Sequence, residues 1–241
     1  MQSQKRGGII VAWALLGLLA LSGCNQKGQD GTGAKPAAIN GAEAAAAVAP
    51  SGVAALTPGT GASKPAVPSD PLHPLVSIET SLGNIIVELD PANAELTVSN
   101  FLSNYVDSGF YGQTIFHQVF KGYVILGGSF GPDGKEKSAK YSVRNEANNG
   151  KKNVRGTIAM ARQPDVRDSA RAQFFINVAD NPQLDHKDPS SPATFGYCVF
   201  GRVTQGMDVV DKIASVPVRD TGTFESTPVE PVIIKSIRRM P

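Results

Sequence analysis

From Leu75 onward the chain is cut into short apolar runs, each fenced by glycine, proline, asparagine or aspartate. This punctuation constrains the fold strongly, because it leaves little room for long helices. Val76 and Ile78 alternate with Ser77 and Glu79. After Ser81-Leu82-Gly83-Asn84, Ile85, Val87 and Leu89 share one face, the pattern of a hairpin with a glycine-containing turn. Pro91 breaks the alternation. Val98, Phe101, Leu102 and Tyr105 then recur at i, i+3, i+4 and i+7, which predicts an amphipathic helix that Gly109 ends. Thr114 to Val119, Tyr123 to Leu126, Thr157 to Ala161, Phe174 to Val178 and Tyr197 to Val203 read as strands. Val209, Val210 and Ile213 mark a second helix after Gly206, and Val232 to Ile237 a last strand. Many short strands with only two helices predict an all-β domain over 75–241 built as a closed β-barrel. No internal repeat is present.

The chain before Leu75 has a different character. Residues 25–74 are rich in Ala, Gly, Pro, Ser and Thr, hold no aromatic residue, and balance Lys27, Lys35 and Lys64 against Asp30, Glu43 and Asp70. Such a segment cannot bury enough apolar surface to offset its chain entropy. It predicts a flexible tether over 24–74 with a reach of about 40 Å; binding of cell wall or a partner is the other reading.

The first 23 residues read as a targeting segment. Lys5 and Arg6 precede an apolar or glycine stretch from Ile9 to Leu21, followed by Leu21-Ser22-Gly23-Cys24. That is a short hydrophobic region followed by small residues, the layout of a secretory signal. It is short for a membrane span, which needs about 20 apolar residues. The last four residues resemble a bacterial lipobox. The resemblance implies cleavage before Cys24, acylation of its thiol, and a lipid anchor. Asn25 rather than Asp after the cysteine points, by analogy with lipoprotein sorting, to the outer membrane facing the periplasm. An uncleaved signal anchor, or a plain signal with an incidental cysteine, are the alternatives.

Charge and cysteine count remove other classes. The chain has 23 Lys and Arg against 21 Asp and Glu. Losing Lys5 and Arg6 with the signal leaves 21 against 21. The densest cationic stretch, Lys135 to Arg155, is interrupted by Glu136 and Glu146 and reads as a solvated loop face. No basic face for nucleic acid remains. With Cys24 acylated, Cys198 has no intrachain partner; within Tyr197-Cys198-Val199-Phe200 it reads as a buried, inert thiol. The three histidines, His73, His117 and His186, are scattered, so no metal site is expected. Gly127-Gly128-Ser129-Phe130-Gly131 matches the nucleophile-elbow pattern, but Pro132-Asp133-Gly134 follows where a helix is required. Gly28-Gln29-Asp30-Gly31-Thr32-Gly33 lies in the tether, so dinucleotide binding fails too.

The remaining motifs are specific. Phe116-His117-Gln118-Val119-Phe120-Lys121-Gly122-Tyr123 running to Gly127-Gly128 resembles the first cyclophilin signature. Gly156-Thr157-Ile158-Ala159-Met160-Ala161 and then Gln173-Phe174-Phe175-Ile176 resemble the second. Leu184-Asp185-His186, Phe195-Gly196-Tyr197-Cys198-Val199-Phe200-Gly201-Arg202-Val203 and Gly206-Met207-Asp208-Val209-Val210-Asp211-Lys212-Ile213 continue it in order. The match covers nearly all of 75–241 and resembles bacterial periplasmic cyclophilins. It implies an eight-stranded antiparallel barrel capped by two α-helices, peptidyl-prolyl cis-trans isomerase activity, no cofactor, and a monomer that grips proline-containing segments of envelope proteins. It also implies roles. Tyr123, Val124, Phe175, Leu184 and Tyr197 fall on apolar pocket positions, Ala161 and Arg162 on a strand edge that pairs with substrate backbone, and Gln173 on a glutamine near the pocket. Taken singly, each aromatic or aliphatic residue among these could also be barrel core.

Two positions depart from the family. Gln118 stands where the catalytic arginine is usual, and Leu126 where a glutamine binds substrate. The apolar grip is retained while the polar machinery is thinned. Neutral hydrogen bonds are roughly half as strong as charge-assisted ones. Two functions therefore remain open: an isomerase of reduced activity that assists folding in the cell envelope, and a proline-peptide binding module or chaperone with little turnover.

Overall fold

The computed structural model describes residues 72–241. The expected signal peptide over 1–23, Cys24 and nearly all of the expected tether lie outside the described residues. The first two strands form the hairpin read from the alternation, β1 (Leu75–Thr80) and β2 (Gly83–Leu89). Thr80 closes its turn, its hydroxyl donating to the Gly83 carbonyl at 2.6 Å and accepting from the Leu82 amide at 3.1 Å.

The chain continues through α1 (Glu95–Ser99), β3 (Thr114–Phe120), β4 (Val124–Gly127), β5 (Thr157–Met160), β6 (Phe174–Asn177), α2 (Pro192–Phe195), β7 (Val199–Gln205), α3 (Met207–Ala214), β8 (Val218–Arg219), β9 (Thr227–Pro228) and β10 (Val232–Arg239). Eight strands close a barrel in the order β1-β10-β3-β4-β6-β5-β7-β2, and every neighbouring pair is antiparallel. This is the predicted fold. β8 and β9 form a separate ribbon of two-residue strands, too short for periodicity to reveal. α2 is a single turn, also unforeseen; Ser191 caps it and Pro192 starts it.

Two helices cap the barrel. The first differs from expectation: after Ser99 it widens into a π-helix over Asn100–Val106. The amides of Asp107 and Phe110 reach carbonyls five residues back, on Leu102 and Tyr105. Two adjacent pairs, Phe101-Leu102 and Tyr105-Val106, are buried together, a broader apolar face than a 3.6-residue turn presents. α3 buries Val210, Ile213 and Ala214 in the same core. Gly206 starts it at φ +85°, and a Cβ there would sit 2.3 Å from the Asn84 carbonyl oxygen, so no side chain fits.

Inside the barrel Phe174 meets Phe101, Tyr111 and Phe116 edge to face, while Phe101 meets Tyr111 and Phe200 at a tilt. Cys198 is a free, buried thiol whose pKa burial pushes up to about 12, which makes it unreactive as expected. The turn after Gly128 carries no helix: Asp133 and Gly134 close it through bonds to Lys135 and Gly131, so the nucleophile-elbow pattern is incidental.

Candidate functional site

Alternation along each strand sends one set of side chains into the barrel and the next set outward. On β6, Phe174 and Ile176 join the interior cluster while Phe175 joins a second one. Antiparallel register carries the outward set sideways across five strands. Gln118 of β3 pairs with Leu126 of β4, Leu126 with Phe175 of β6, Phe175 with Ala159 of β5, and Ala159 with Val199 of β7. A bulge in β3 is what puts Gln118 in this row. Phe116 pairs with Gly127 and Gln118 with Leu126, so His117 is an extra residue, and the phase of the strand reverses between Phe116 inside and Gln118 outside.

Around this row lies an apolar patch of Val124, Leu126, Ala159, Ala161, Phe175, Leu184 and Val199, with Phe120, Tyr123 and Tyr197 half-buried at its rim. The structure thus brings Tyr123, Val124, Leu126, Ala161, Phe175, Leu184 and Tyr197 together, as the resemblance implies. The Phe175 and Tyr197 rings meet edge to face at 5.7 Å. Ala159, Val199 and Phe120 were missed from sequence. The signal was available, since Ala159 lies two residues from Ala161 and Val199 two from Tyr197, one pleat apart on the same face.

Gln118 is almost fully buried. Its Nε2 donates to the Glu225 carbonyl at 3.3 Å, and its Oε1 has no partner among the described residues. Gln173 lies to one side. Its Nε2 approaches Glu136 Oε1 at 3.5 Å, and it lines a separate pocket of about 50 Å³ that shares Ala161 with the patch. The Ala161 amide is already used, donating to the Gln173 carbonyl at 2.9 Å.

Arg162 is placed differently from a groove-lining donor. It is 2% exposed, and its guanidinium stacks 4.6 Å over the Tyr197 ring. It donates to the carbonyls of Gly196 (3.1 Å), Gln163 (2.8 Å), Pro164 (2.8 Å) and Pro192. Four of its five N–H groups are thereby committed to backbone. Arg162 holds the back of Tyr197. Gly196 lets the Asp185-His186 backbone pass close by: at φ +76°, a Cβ would lie 2.6 Å from Asp185 carbon and His186 nitrogen.

A second polar scaffold supports the opposite rim. Asn181 Nδ2 donates to the Tyr123 carbonyl at 3.0 Å and to Asn177 Oδ1 at 2.7 Å. Asn177 donates in turn to Asn153 and Thr157, while the Asn153 amide donates to Asp185 Oδ1 at 2.7 Å, beside Leu184. Buried polar groups satisfied this way hold a geometry that apolar contacts alone would let slide.

The chemistry available is narrow. Burial raises the pKa of both Tyr123 and Tyr197 above the ordinary phenol value, so both keep their protons. With Arg162 committed to backbone, the patch offers shape, apolar surface and the Gln118 amide. That suits a step without proton or group transfer. A cavity of about 440 Å³ lies elsewhere, beside Lys151 and Arg202, and touches the patch only at Val199. Two of its cations are paired within the lining, Lys151 with Asp90 at 2.7 Å and Arg202 with Glu88 at 3.0 Å.

Comparison with known proteins agrees with this geometry. Residues 75–239 match the family Cyclophilin type peptidyl-prolyl cis-trans isomerase/CLD. Peptidyl-prolyl cis-trans isomerase A of Dickeya dadantii is 48% identical over 163 residues, 68% of this chain and 83% of that protein. Peptidyl-prolyl cis-trans isomerase B of Escherichia coli is also 48% identical over 163 residues, 68% of this chain and 98% of that one. Among solved structures, a cyclophilin type peptidyl-prolyl cis-trans isomerase of Cryptosporidium parvum, determined in the presence of the dipeptide Ala-Pro, superimposes with a TM-score of 0.58 at 27% identity, covering 69% of this chain and 99% of that one. An eight-stranded barrel that turns a rigid apolar patch outward, sequence identity near one half to bacterial isomerases and a match along the whole domain lead to one conclusion: the chain belongs to the cyclophilin-type peptidyl-prolyl cis-trans isomerases.

Proposed function

We propose that this protein is a lipid-anchored isomerase of the bacterial cell envelope, working at reduced rate on proline-containing segments of envelope proteins. The observation that carries the reading is the outward row from Gln118 through Leu126 and Phe175 to Val199, an apolar surface set against one neutral amide. Rotation about the Xaa-Pro bond must overcome about 18–20 kcal/mol of amide resonance. The patch grips the proline ring between Phe175, Leu184 and Tyr123 while the preceding residue turns. A donor aimed at the amide favours the twisted state, in which conjugation is lost. Gln118 has a second N–H for this, but it carries no charge and its amide is already drawn toward Glu225. Leu126, its register partner, has no polar atom to assist.

The same two residues favour a second reading, a proline-peptide binding module with little turnover. An isomerase assay by NMR exchange on wild type and Gln118→Arg separates them. An attenuated isomerase shows a low wild-type rate, and arginine raises kcat/KM by about one to three orders of magnitude, each 1.36 kcal/mol being tenfold. Peptide binding without turnover in either protein identifies the binding module.

The envelope placement rests on the apolar stretch from Ile9 to Leu21 and the lipobox-like Leu21-Ser22-Gly23-Cys24. No helix among the described residues is long and apolar enough to cross a membrane. Radiolabelled fatty acid marks wild type and not Cys24→Ser if the thiol is acylated; equal labelling of both removes the lipoprotein reading.

A further inference from the structure

The long connection between β4 and β5 carries Asn145, Asn149 and Asn153, four residues apart but in no helix. Asn145 and Asn149 make the same local turn. Asn145 Oδ1 accepts from the Ala147 amide at 3.0 Å, and Asn149 Oδ1 from the Lys151 amide, also at 3.0 Å. Each side chain thus closes on the backbone two residues ahead, which leaves its Nδ2 to reach outside the turn. Asn145 Nδ2 donates to the Gly196 carbonyl at 3.0 Å, and Asn149 Nδ2 to the Val199 carbonyl at 2.9 Å. Asn153 Nδ2 makes a longer approach to the Tyr197 carbonyl, at 3.5 Å. One connection therefore lays three amides along the 196–199 segment, which carries Val199 of the patch and Tyr197 of its rim.

These arms start from a fixed base. The Val143 amide donates to the Ala170 carbonyl at 2.9 Å, and the Asn145 amide to Asp168 Oδ1 at 2.9 Å. The Glu146 carboxylate accepts from the Leu96 and Thr97 amides at 3.2 and 2.8 Å. Residues 143–146 are thus tied both to the 168–170 segment and to the start of α1.

What they hold is a peptide plane. The Gly196 carbonyl and the Tyr197 amide belong to one planar unit. Its oxygen accepts from Asn145 and from Arg162 Nε, at 3.0 and 3.1 Å, which uses both lone pairs. Its N–H donates to the Leu184 carbonyl at 2.9 Å. A plane pinned at both ends fixes the direction in which Tyr197 leaves the backbone, and the second bond ties Tyr197 to Leu184, another member of the patch. Beyond Tyr197, the Cys198 carbonyl accepts from the Met160 amide at 3.1 Å and the Val199 carbonyl from Asn149. Bonds with fixed directions resist a drift that side-chain contact alone permits.

We infer that Asn145 and Asn149 are positioning residues of the proline site: they touch no substrate, and they set the wall that Tyr197 and Val199 present to it. The inference rests on the proline-peptide reading above and extends it from the residues that grip the peptide to the connection that aims them.

The test uses the whole protein with Asn149→Asp and Asn145→Ser. Aspartate keeps the oxygen that accepts from Lys151 and puts a second oxygen where Nδ2 donated. Serine keeps a turn acceptor, because its hydroxyl makes the same local bond more weakly, and it is too short to reach Gly196. Asn149 is only half-buried, so its replacement leaves the core intact. Val210→Ala, a core truncation in α3, supplies a stability loss outside the patch. The measurements are unfolding in urea, the dissociation constant of acetyl-Gly-Ala-Pro-Gly-amide by NMR titration, and the ring signals of Tyr197, assigned with Tyr197→Phe. Both asparagine variants should raise the dissociation constant up to about tenfold, equivalent to about 1.4 kcal/mol, and shift the Tyr197 ring signals of the free protein. Val210→Ala should lower stability and move neither. If the asparagine variants lose stability while affinity and ring signals stay at their wild-type values, these residues serve the fold alone and the inference is overturned. It is overturned equally if Val210→Ala weakens binding as much as they do, because binding then follows stability. If the wild type binds no peptide, the proline-peptide reading falls, and the ring signals still decide whether the asparagines set Tyr197.

Discussion

The barrel interior and the outward patch are built from alternate residues of the same strands, yet they are held by different forces. Phe174 and Phe175 are neighbours on β6; the first sits among Phe101, Tyr111 and Phe116, the second among Leu126, Leu184 and Tyr197. The interior is enclosed by eight strands and two helices, so apolar packing alone gives it shape. The patch has no such enclosure. Its rims stand because Arg162 is tied to four backbone carbonyls behind Tyr197, and because Asn181, Asn177 and Asn153 brace Tyr123 and Leu184. An apolar surface that must stay open to ligand cannot rely on its own contacts to keep it open, because those contacts favour closure. Buried hydrogen bonds with fixed directions resist that collapse.

The sharpest way to break this comparison is to truncate the two neighbours in turn. Phe174→Ala should lower unfolding stability by about 3–5 kcal/mol in urea denaturation, the usual cost of a large interior cavity. Phe175→Ala should cost less, because the patch can relax, and should abolish proline-peptide binding in a protein that remains folded. Equal stability losses with binding intact in the second variant would erase the distinction between the two surfaces.

Arg162→Lys sharpens it from the polar side. Lysine keeps the charge and loses the planar fork, so several carbonyls lose their donor. The expected cost is about 1–3 kcal/mol of stability, with a several-fold rise in the dissociation constant of a proline peptide as Tyr197 loosens. A variant as stable as wild type with weakened binding would make Arg162 a direct ligand contact rather than a brace.

His117 lies between the two surfaces, and pH reads its burial. Folded, the ring stays neutral down to about pH 3; unfolded, it takes a proton near its ordinary 6.5. Between these values only the unfolded chain binds the extra proton, so stability is lost as pH falls from 6.5 toward 3, at up to about 1.4 kcal/mol per pH unit. Asp90, Asp107 and Asp168 are held below the ordinary carboxylate value of 3.8, so their contribution is lost below that. The slope between pH 6 and 4.5 should flatten in His117→Asn. An unchanged slope would mean that the ring titrates freely in the folded protein.

Much of this architecture was legible in the chain. The period-two runs at Val76-Ile78 and Ile85-Leu89 and the short apolar run at Phe174-Ile176 announced strands, and the 98, 101, 102, 105 spacing announced the first cap. Motif resemblance added the members of the patch, which alternation alone could not tell from core, since Phe175 and Phe174 are equally apolar. The π-widening after Ser99 and the ribbon of β8 and β9 were not legible. Helix width depends on what the second face meets, and a two-residue strand carries no period.

Local pattern by itself determined most of the apolar residues that the strands and caps bury, such as Val76, Ile78, Ile85, Val87, Phe101 and Phe174, because burial of apolar groups follows from chemistry and spacing along the chain. Only the tertiary structure decided which side of the barrel wall each buried residue faces, and what Arg162 and Gln118 do. Sequence placed Arg162 on a substrate edge; the fold carries the 192–197 segment across it and takes up its donors with four carbonyls. Sequence placed Gln118 where an arginine is usual; the fold adds the β3 bulge that turns it outward and the Glu225 carbonyl that holds its amide. The physical reason is common to both. A hydrogen bond is made with whatever partner folding brings within about 3 Å; the Gln118 partner lies 107 residues away along the chain, and two of the four Arg162 partners lie 30 and 34 residues away.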